Sequence, residues 1–211
     1  KGRATIIHHA DIRRMLLVMK SQTEAMRATA YSTSTLLDVI RHSNDAADRD
    51  AAGVRMALLT PVIKGWLSEV AQEVTSLGVQ IHGGMGFIEE TGAAQILRDG
   101  RINPIYEGTN GIQAMDLVGR KLGLKGGRLI AGLFDTISSF LADNPDAPHH
   151  NELQAALKSL EEATTWIAVN GMQDPEEAGA AASPYLRLTA LTVIAYLWSR
   201  MASVAQRQLA E

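Results

Sequence analysis

Small and apolar residues recur at Ile12, Met15, Leu16, Met19, Met26, Ala30, Leu37 and Ile40, in steps of three, four and seven. That spacing lines up one face of a helix and predicts a long helix from Ala10 to about His42. Ser21, Thr23, Ser32 and Ser34 interrupt the stripe, so it is no clean leucine seam. Ser43 to Asp50 reads as a polar break, and a second helical pattern runs from about Ala51 to Leu77. Within it, Thr60-Pro61 either restarts a helix, with Thr as N-cap and Pro at the first position, or kinks a continuous one. A short helix from Thr91 to Arg98, an irregular stretch from Arg101 to Thr109 and a helix from Asn110 to Leu122 follow. Lys125-Gly126-Gly127 has the composition of a hinge. Beyond it the pattern predicts helices over Leu129 to Ala142 and over Glu152 to Val169, the latter capped by Asn151. Its stripe is Leu153, Ala156, Leu157, Leu160, Ala163 and Ile167. Asp174-Pro175-Glu176-Glu177 is a strong helix start: an N-cap, a first-position Pro and acids in the first turn. A last helix is expected from Ser183-Pro184 to about Leu209. It is apolar nearly all round between Leu188 and Trp198, which suits a central position or a subunit interface. With no strand alternation and no repeat, the expected fold class is all-α, a bundle of antiparallel neighbours.

Composition narrows the function. The 211 residues are 46% hydrophobic and 20% charged, which fits a globular chain with a sizeable core. A net charge of −3 leaves no general basic field for nucleic acid. The absence of cysteine excludes disulfides, thiolate nucleophiles and cysteine metal sites. No apolar run reaches the ~20 residues of a membrane-spanning helix. The start, Lys1-Gly2-Arg3, carries neither an initiator Met nor a signal pattern and reads like the middle of a longer protein, with a cytoplasmic setting expected.

The candidate chemistry lies between Gln80 and Gln113. Gly83, Gly84 and Gly86 fall within four positions, where the backbone turns tightly or something approaches it closely. Glu107 stands between Ile105-Tyr106 and Gly108, and a carboxylate in apolar surroundings suits a general base. It reads equally as a solvated loop acid, or as a helix N-terminal acid for the helix starting near Asn110. Arg98 and Arg101 either grip a phosphate or form a structural pair with the neighbouring Asp99. Glu89-Glu90 reads as a solvated surface or loop contact, and His82 either meets a cofactor or fills a backbone niche. The adjacent pairs His8-His9 and His149-His150 point apart on a helix, so no metal site is expected. Trp66, Trp166 and Trp198 read as core or interface residues.

Taken in order, Gln80-Ile81-His82-Gly83-Gly84-Met85-Gly86-Phe87, Arg98-Asp99-Gly100-Arg101-Ile102, Ile105-Tyr106-Glu107-Gly108-Thr109 and Ile112-Gln113 resemble the C-terminal helical domain of acyl-CoA dehydrogenases. The resemblance implies a domain over residues 1–124 and a helical C-terminal extension over 125–211, as in one branch of the family. His9 to Leu16 and Ile88 to Gln95 also look like that branch. It implies FAD as cofactor and an acyl-CoA thioester as substrate. Glu107 would be the base that removes the α-proton, Gly108 would line the substrate channel and Thr109 would contact the flavin. Gln80, Gly83 and Gly84 would receive the adenosine and pyrophosphate end of FAD from a neighbouring subunit, which implies a homo-oligomer. Electron-transfer flavoprotein is the implied acceptor. One position departs from the family pattern: Gly111 stands where many members carry a flavin-contacting Gln. The middle β-domain is missing, so the 211-residue piece is expected to be inactive alone. Two other readings remain open, an acyl-CoA oxidase-like enzyme and a non-catalytic helical interaction module.

Overall fold

The computed structural model describes residues 4–210. After a short turn at Ile6–His8 come two long antiparallel helices, α1 (Ala10–His42) and α2 (Ala46–His82). Their break is shorter than the polar run suggests. The Asp45 carboxylate accepts from the N–H of Ala47 at 2.8 Å, and Arg49 Nη1 donates to the carbonyl of Ser43 at 2.7 Å, so the helix starts five residues early. α2 runs unbroken through Pro61, so the restart at Thr60 does not occur. The Thr60 hydroxyl donates back to the carbonyl of Met56 at 2.7 Å instead of capping, and Pro61 itself is buried in the core. Gly78 does not end the helix either, which continues to His82.

The turn residue Gly83, with φ 60, leads into a single helical turn, α3 (Gly84–Phe87), and then α4 (Ala93–Arg101). An irregular loop precedes α5 (Asn110–Asp116), which passes directly into a π-helical turn at Leu117–Lys121. The left-handed run Lys125, Gly126 and Gly127 turns the chain into α6 (Arg128–Asp143). α7 (His150–Gln173) and α8 (Pro175–Ala210) form a second antiparallel pair. α7 starts from His149 in left-handed backbone and not from an Asn151 cap; Asn151 lies inside the helix. α8 starts where Asp174 accepts from the N–H of Glu176 at 2.9 Å. It then continues through Ser183-Pro184, so the expected break there is absent. The Ala-rich run Ala178 to Ala182 favours helix on its own, and Ala182, Tyr185 and Leu186 bury on either side of Pro184. Among the described residues there is no strand.

The core is continuous across both halves. Leu58, Val62, Trp66 and Val70 of α2 pack in one cluster with Ala114 and Leu117, with Leu133 and Ile137 of α6, with Leu153 and Leu160 of α7, and with Tyr185, Leu186 and Val193 of α8. α1 contributes Ala25 to this cluster; Met15, Thr29 and Thr33 are also buried on that helix, whereas Leu16 is exposed. Of the two buried threonines on this inward face, Thr29 satisfies its hydroxyl on the carbonyl of Ala25 at 2.8 Å. By length and apolarity α8 qualifies as a membrane-crossing helix, although no unbroken apolar run of that length appears in the sequence. Here one face of it, from Ala182 to Leu197, is built into the core.

Candidate active-site loop

The segment between α4 and α5 owes its shape to three backbone bonds. The N–H groups of Ile105 and Tyr106 both donate to the carbonyl of Ile102, at 2.9 and 3.1 Å, and the N–H of Asn110 returns to the carbonyl of Pro104 at 3.1 Å. Closing so short a loop requires a left-handed reversal, and it falls on Glu107 (φ 50) and Gly108 (φ 82). A glycine takes that conformation freely, but for a glutamate it costs roughly 1–2 kcal/mol. A methyl on Gly108 would meet only the mobile end of Gln113, so it is the left-handed backbone, more than space, that reserves the position for glycine. Thr109 then caps α5, its hydroxyl oxygen accepting from the N–H of Ile112 at 3.2 Å.

Glu107 borders a cavity of about 340 Å³. The opposite wall is one face of α2, Ile63, Lys64, Leu67, Ser68 and Ala71, and Asn103 and Tyr106 complete it. The expectation that Glu107 is enclosed by apolar side chains is not met. Glu107 is exposed, as are Ile105 and Tyr106. What this chain provides is a carboxylate at the rim of a largely apolar slot, held by a conformationally fixed backbone.

The glycine bend is built separately, at the C-terminal end of α2. Gly83 donates to the carbonyl of Gln80 at 3.1 Å, and Gly86 to that of Gly83 at 2.9 Å. Gly86 is buried, and a methyl there would collide with the carbonyl of Val79. Gly83 and Gly84 differ from it: nothing lies within 4 Å of where their Cβ atoms would be. Gln80 is exposed beside them. The backbone here is therefore bare toward solvent and open to close approach by a ligand. His82 Nδ1 lies 2.7 Å from the carbonyl of Gly78, so it carries the hydrogen and donates, filling a backbone niche. Arg98 is paired with Glu89, two contacts of 2.6 Å, and not with Asp99. That guanidinium holds the Glu89 carboxyl below the usual carboxylate range. Trp66 is in the core, whereas Trp166 and Trp198 are 44% and 37% exposed.

Sequence reading does not foresee what anchors the loop. The Asn110 side chain bonds to Gly65, Ser68 and Lys64, all on α2 and more than forty positions away. The only local signal is the identity of Asn110 as the first residue of a helix.

Comparison with known proteins agrees with the fold and with the sequence order of these pieces. Residues 1–122 match the family model for the acyl-CoA dehydrogenase C-terminal domain, and residues 133–211 match that described as acetyl-CoA dehydrogenase C-terminal like. The chain is 41% identical to 3-methylmercaptopropionyl-CoA dehydrogenase of Ruegeria pomeroyi, covering 98% of this chain and 36% of that protein. It is 33% identical to a butyryl-CoA dehydrogenase of Syntrophomonas wolfei, over 93% of this chain and 31% of that one. Among solved structures, Caenorhabditis elegans ACDH-11 in complex with C11-CoA shares the fold with a TM-score of 0.74 at 20% identity, over 93% of this chain and 35% of that one. The chain thus spans about a third of the length of these relatives. With a family model matching more than half of its residues, the chain belongs to the acyl-CoA dehydrogenase family.

Proposed function

We propose that this chain is the C-terminal part of a flavin-dependent enzyme that introduces an α,β double bond into an acyl-CoA thioester. The observation that carries the reading is Glu107 at the rim of a slot whose wall mixes apolar side chains with Lys64 and Ser68, on a loop closed by its own backbone hydrogen bonds. The names of the relatives and the C11-CoA complex support the substrate class.

In this reading the Glu107 carboxylate takes the α-proton of the thioester, and its backbone N–H helps hold the thioester carbonyl oxygen. Donors already aimed at a developing oxyanion contribute roughly 3–4 kcal/mol each. Gly108 leaves room for the acyl chain to pass. Thr109 accepts with its oxygen inside the protein, so its hydroxyl hydrogen is free to donate to the flavin. Gln80, Gly83 and Gly84 fit a role in receiving the adenosine and pyrophosphate end of FAD from a neighbouring subunit, because their backbone is uncovered. FAD, when bound, supplies the hydride acceptor for the β-hydrogen. A relative named as a subunit of a caffeyl-CoA reductase-Etf complex supports electron-transfer flavoprotein as the onward acceptor. We further propose that residues 1–124 and 125–211 are the two inherited units, and that the 211-residue chain alone is inactive. With the outer side of the loop open to water, Glu107 lacks the enclosed setting a base of this kind uses.

The test is Glu107→Gln in the full-length protein that contains this chain. Flavin absorbance is expected to stay near the wild-type level while dye-coupled turnover of acyl-CoA falls by about 100-fold or more. Turnover at the wild-type rate would remove Glu107 as the base.

A further inference from the structure

We propose that Asn110 is the positioning residue of the Glu107 loop, clamping it to a single turn of α2. The functional half of this inference rests on the reading of Glu107 as base; the structural half does not.

Asn110 uses nearly its whole hydrogen-bonding capacity. Its Nδ2 donates to the carbonyl of Gly65 at 3.0 Å. Its Oδ1 accepts from Lys64 Nζ at 3.3 Å and lies 2.9 Å from Ser68 Oγ, whose single hydrogen is shared with the carbonyl of Lys64 at 2.7 Å. The orientation of the amide follows from its partners, because an ammonium only donates and a carbonyl only accepts, so the flipped amide would face like against like at both ends. The backbone N–H of the same residue closes the loop on Pro104. One residue therefore ties the two ends of the loop together and fastens the loop to α2.

Glu107 needs such support. A non-glycine residue in left-handed backbone persists where its surroundings over-determine it. Two of the bonds that do so run from Ile105 and Tyr106 to Ile102, and the rest, which close the loop and tie it to α2, are made by Asn110, three positions away. Lys64 adds a second consequence. It lines the same cavity as Glu107, yet its ammonium is directed to Asn110 Oδ1, and among the described residues Lys64 and Glu107 form no ion pair. The contact thus holds the cation on the slot wall with no direct ion pair to the carboxylate. The turn that receives the clamp is itself backed by the extension: a Cβ on Gly65 would stand 2.9 Å from Leu186 Cδ1 of α8. The chain of contact runs from α8 to Gly65, from Gly65 to Asn110, and from Asn110 to the loop.

The experiment compares Asn110→Ala and Ser68→Ala in the full-length protein, the first removing all of the side-chain contacts to α2 and the second only the shared one from Ser68. Two quantities are read: amide hydrogen exchange, and steady-state kcat and KM. Exchange at Ile105, Tyr106 and Asn110 is expected to quicken in both variants, more in Asn110→Ala, with α7 and central α8 unchanged. Turnover is expected to fall in the same order, with kcat down by about 10-fold or more in Asn110→Ala and KM changed far less, since misplacing a reacting group weakens the chemical step more than binding. Wild-type exchange of the loop in Asn110→Ala overturns the clamp. Quickened exchange with wild-type kcat overturns its positioning role, provided Glu107→Gln is inactive. Should Glu107→Gln prove active, the base assignment falls and the exchange measurement still decides the clamp. If Asn110→Ala also loosens α7 and α8, the milder Ser68→Ala decides both questions by the same two readouts.

Discussion

Tyr185 illustrates how a single polar group is accommodated in this core. Its ring is 3% exposed, and its hydroxyl meets Thr164 Oγ1 at 2.6 Å. Burial pushes the phenol up from its ordinary 10.0 to about 12, and hydrogen bonding with Thr164 and Thr189 pulls only partly the other way. A raised value means that the folded protein holds a proton which the unfolded chain gives up. The associated stability is complete below about pH 10 and is lost as pH rises toward about 12. Stability measured by urea unfolding is expected to fall there by about 1.4 kcal/mol per pH unit on account of this group. Tyr185→Phe should flatten that stretch while costing about 1 kcal/mol near neutrality for the lost hydrogen bond. At this scale the sequence singles out candidate residues and seldom the partners they take. Glu107 and Gly108 stand out by type and order. That Arg98 pairs with Glu89 and that Asn110 reaches Gly65 depends on how helices cross, and no local pattern encodes it.

The helices are legible wherever local signals and packing agree. The stripe Leu153, Leu157, Leu160 and Ile167 is buried as its spacing implies, and Asp174-Pro175 begins α8 as its chemistry implies. Expectation and structure part where a local stop signal competes with burial on both sides of it. Thr60-Pro61 and Ser183-Pro184 both look like helix starts, yet both lie inside continuous helices. Losing one backbone bond costs less than unpacking the flanking turns. The two prolines differ in setting, and a prediction follows from that. Pro61 is buried and fills space, whereas Pro184 is exposed beside Trp166 at an apolar groove. Pro184→Ala restores an N–H donor toward the carbonyl of Ala180 and relieves the ring clash. Part of that gain is offset by the freer unfolded chain, so the urea midpoint should rise by the equivalent of about 2 kcal/mol. A fall in the midpoint would mean that the ring packs against neighbours more than its exposure suggests.

Over the whole molecule, the segments matched by the two family models share one core. Leu58, Ala114 and Leu117 from the first belong to one buried cluster with Leu186 and Val193 from the second. Shortening the chain to residues 1–124 would strip the cover from these side chains at roughly 25 cal/mol per Å² of apolar surface. The shortened piece is expected to lose its cooperative thermal transition and to bind hydrophobic dyes, whereas the 211-residue chain melts in a single step. Two separate transitions in the intact chain would show instead that the halves fold independently. The amino-acid sequence by itself determined the all-α class, the order of the helices, the glycine bend and the acid of the Tyr-Glu-Gly-Thr turn, because helical periodicity, caps and turn residues act over a few positions. Only the tertiary structure decided which prolines are absorbed into helices, which face of α1 turns inward, and that Glu107 stands at the rim of its slot, held through Asn110. Those outcomes depend on contacts between residues dozens of positions apart, where the summed burial of whole helix faces outweighs any one local preference.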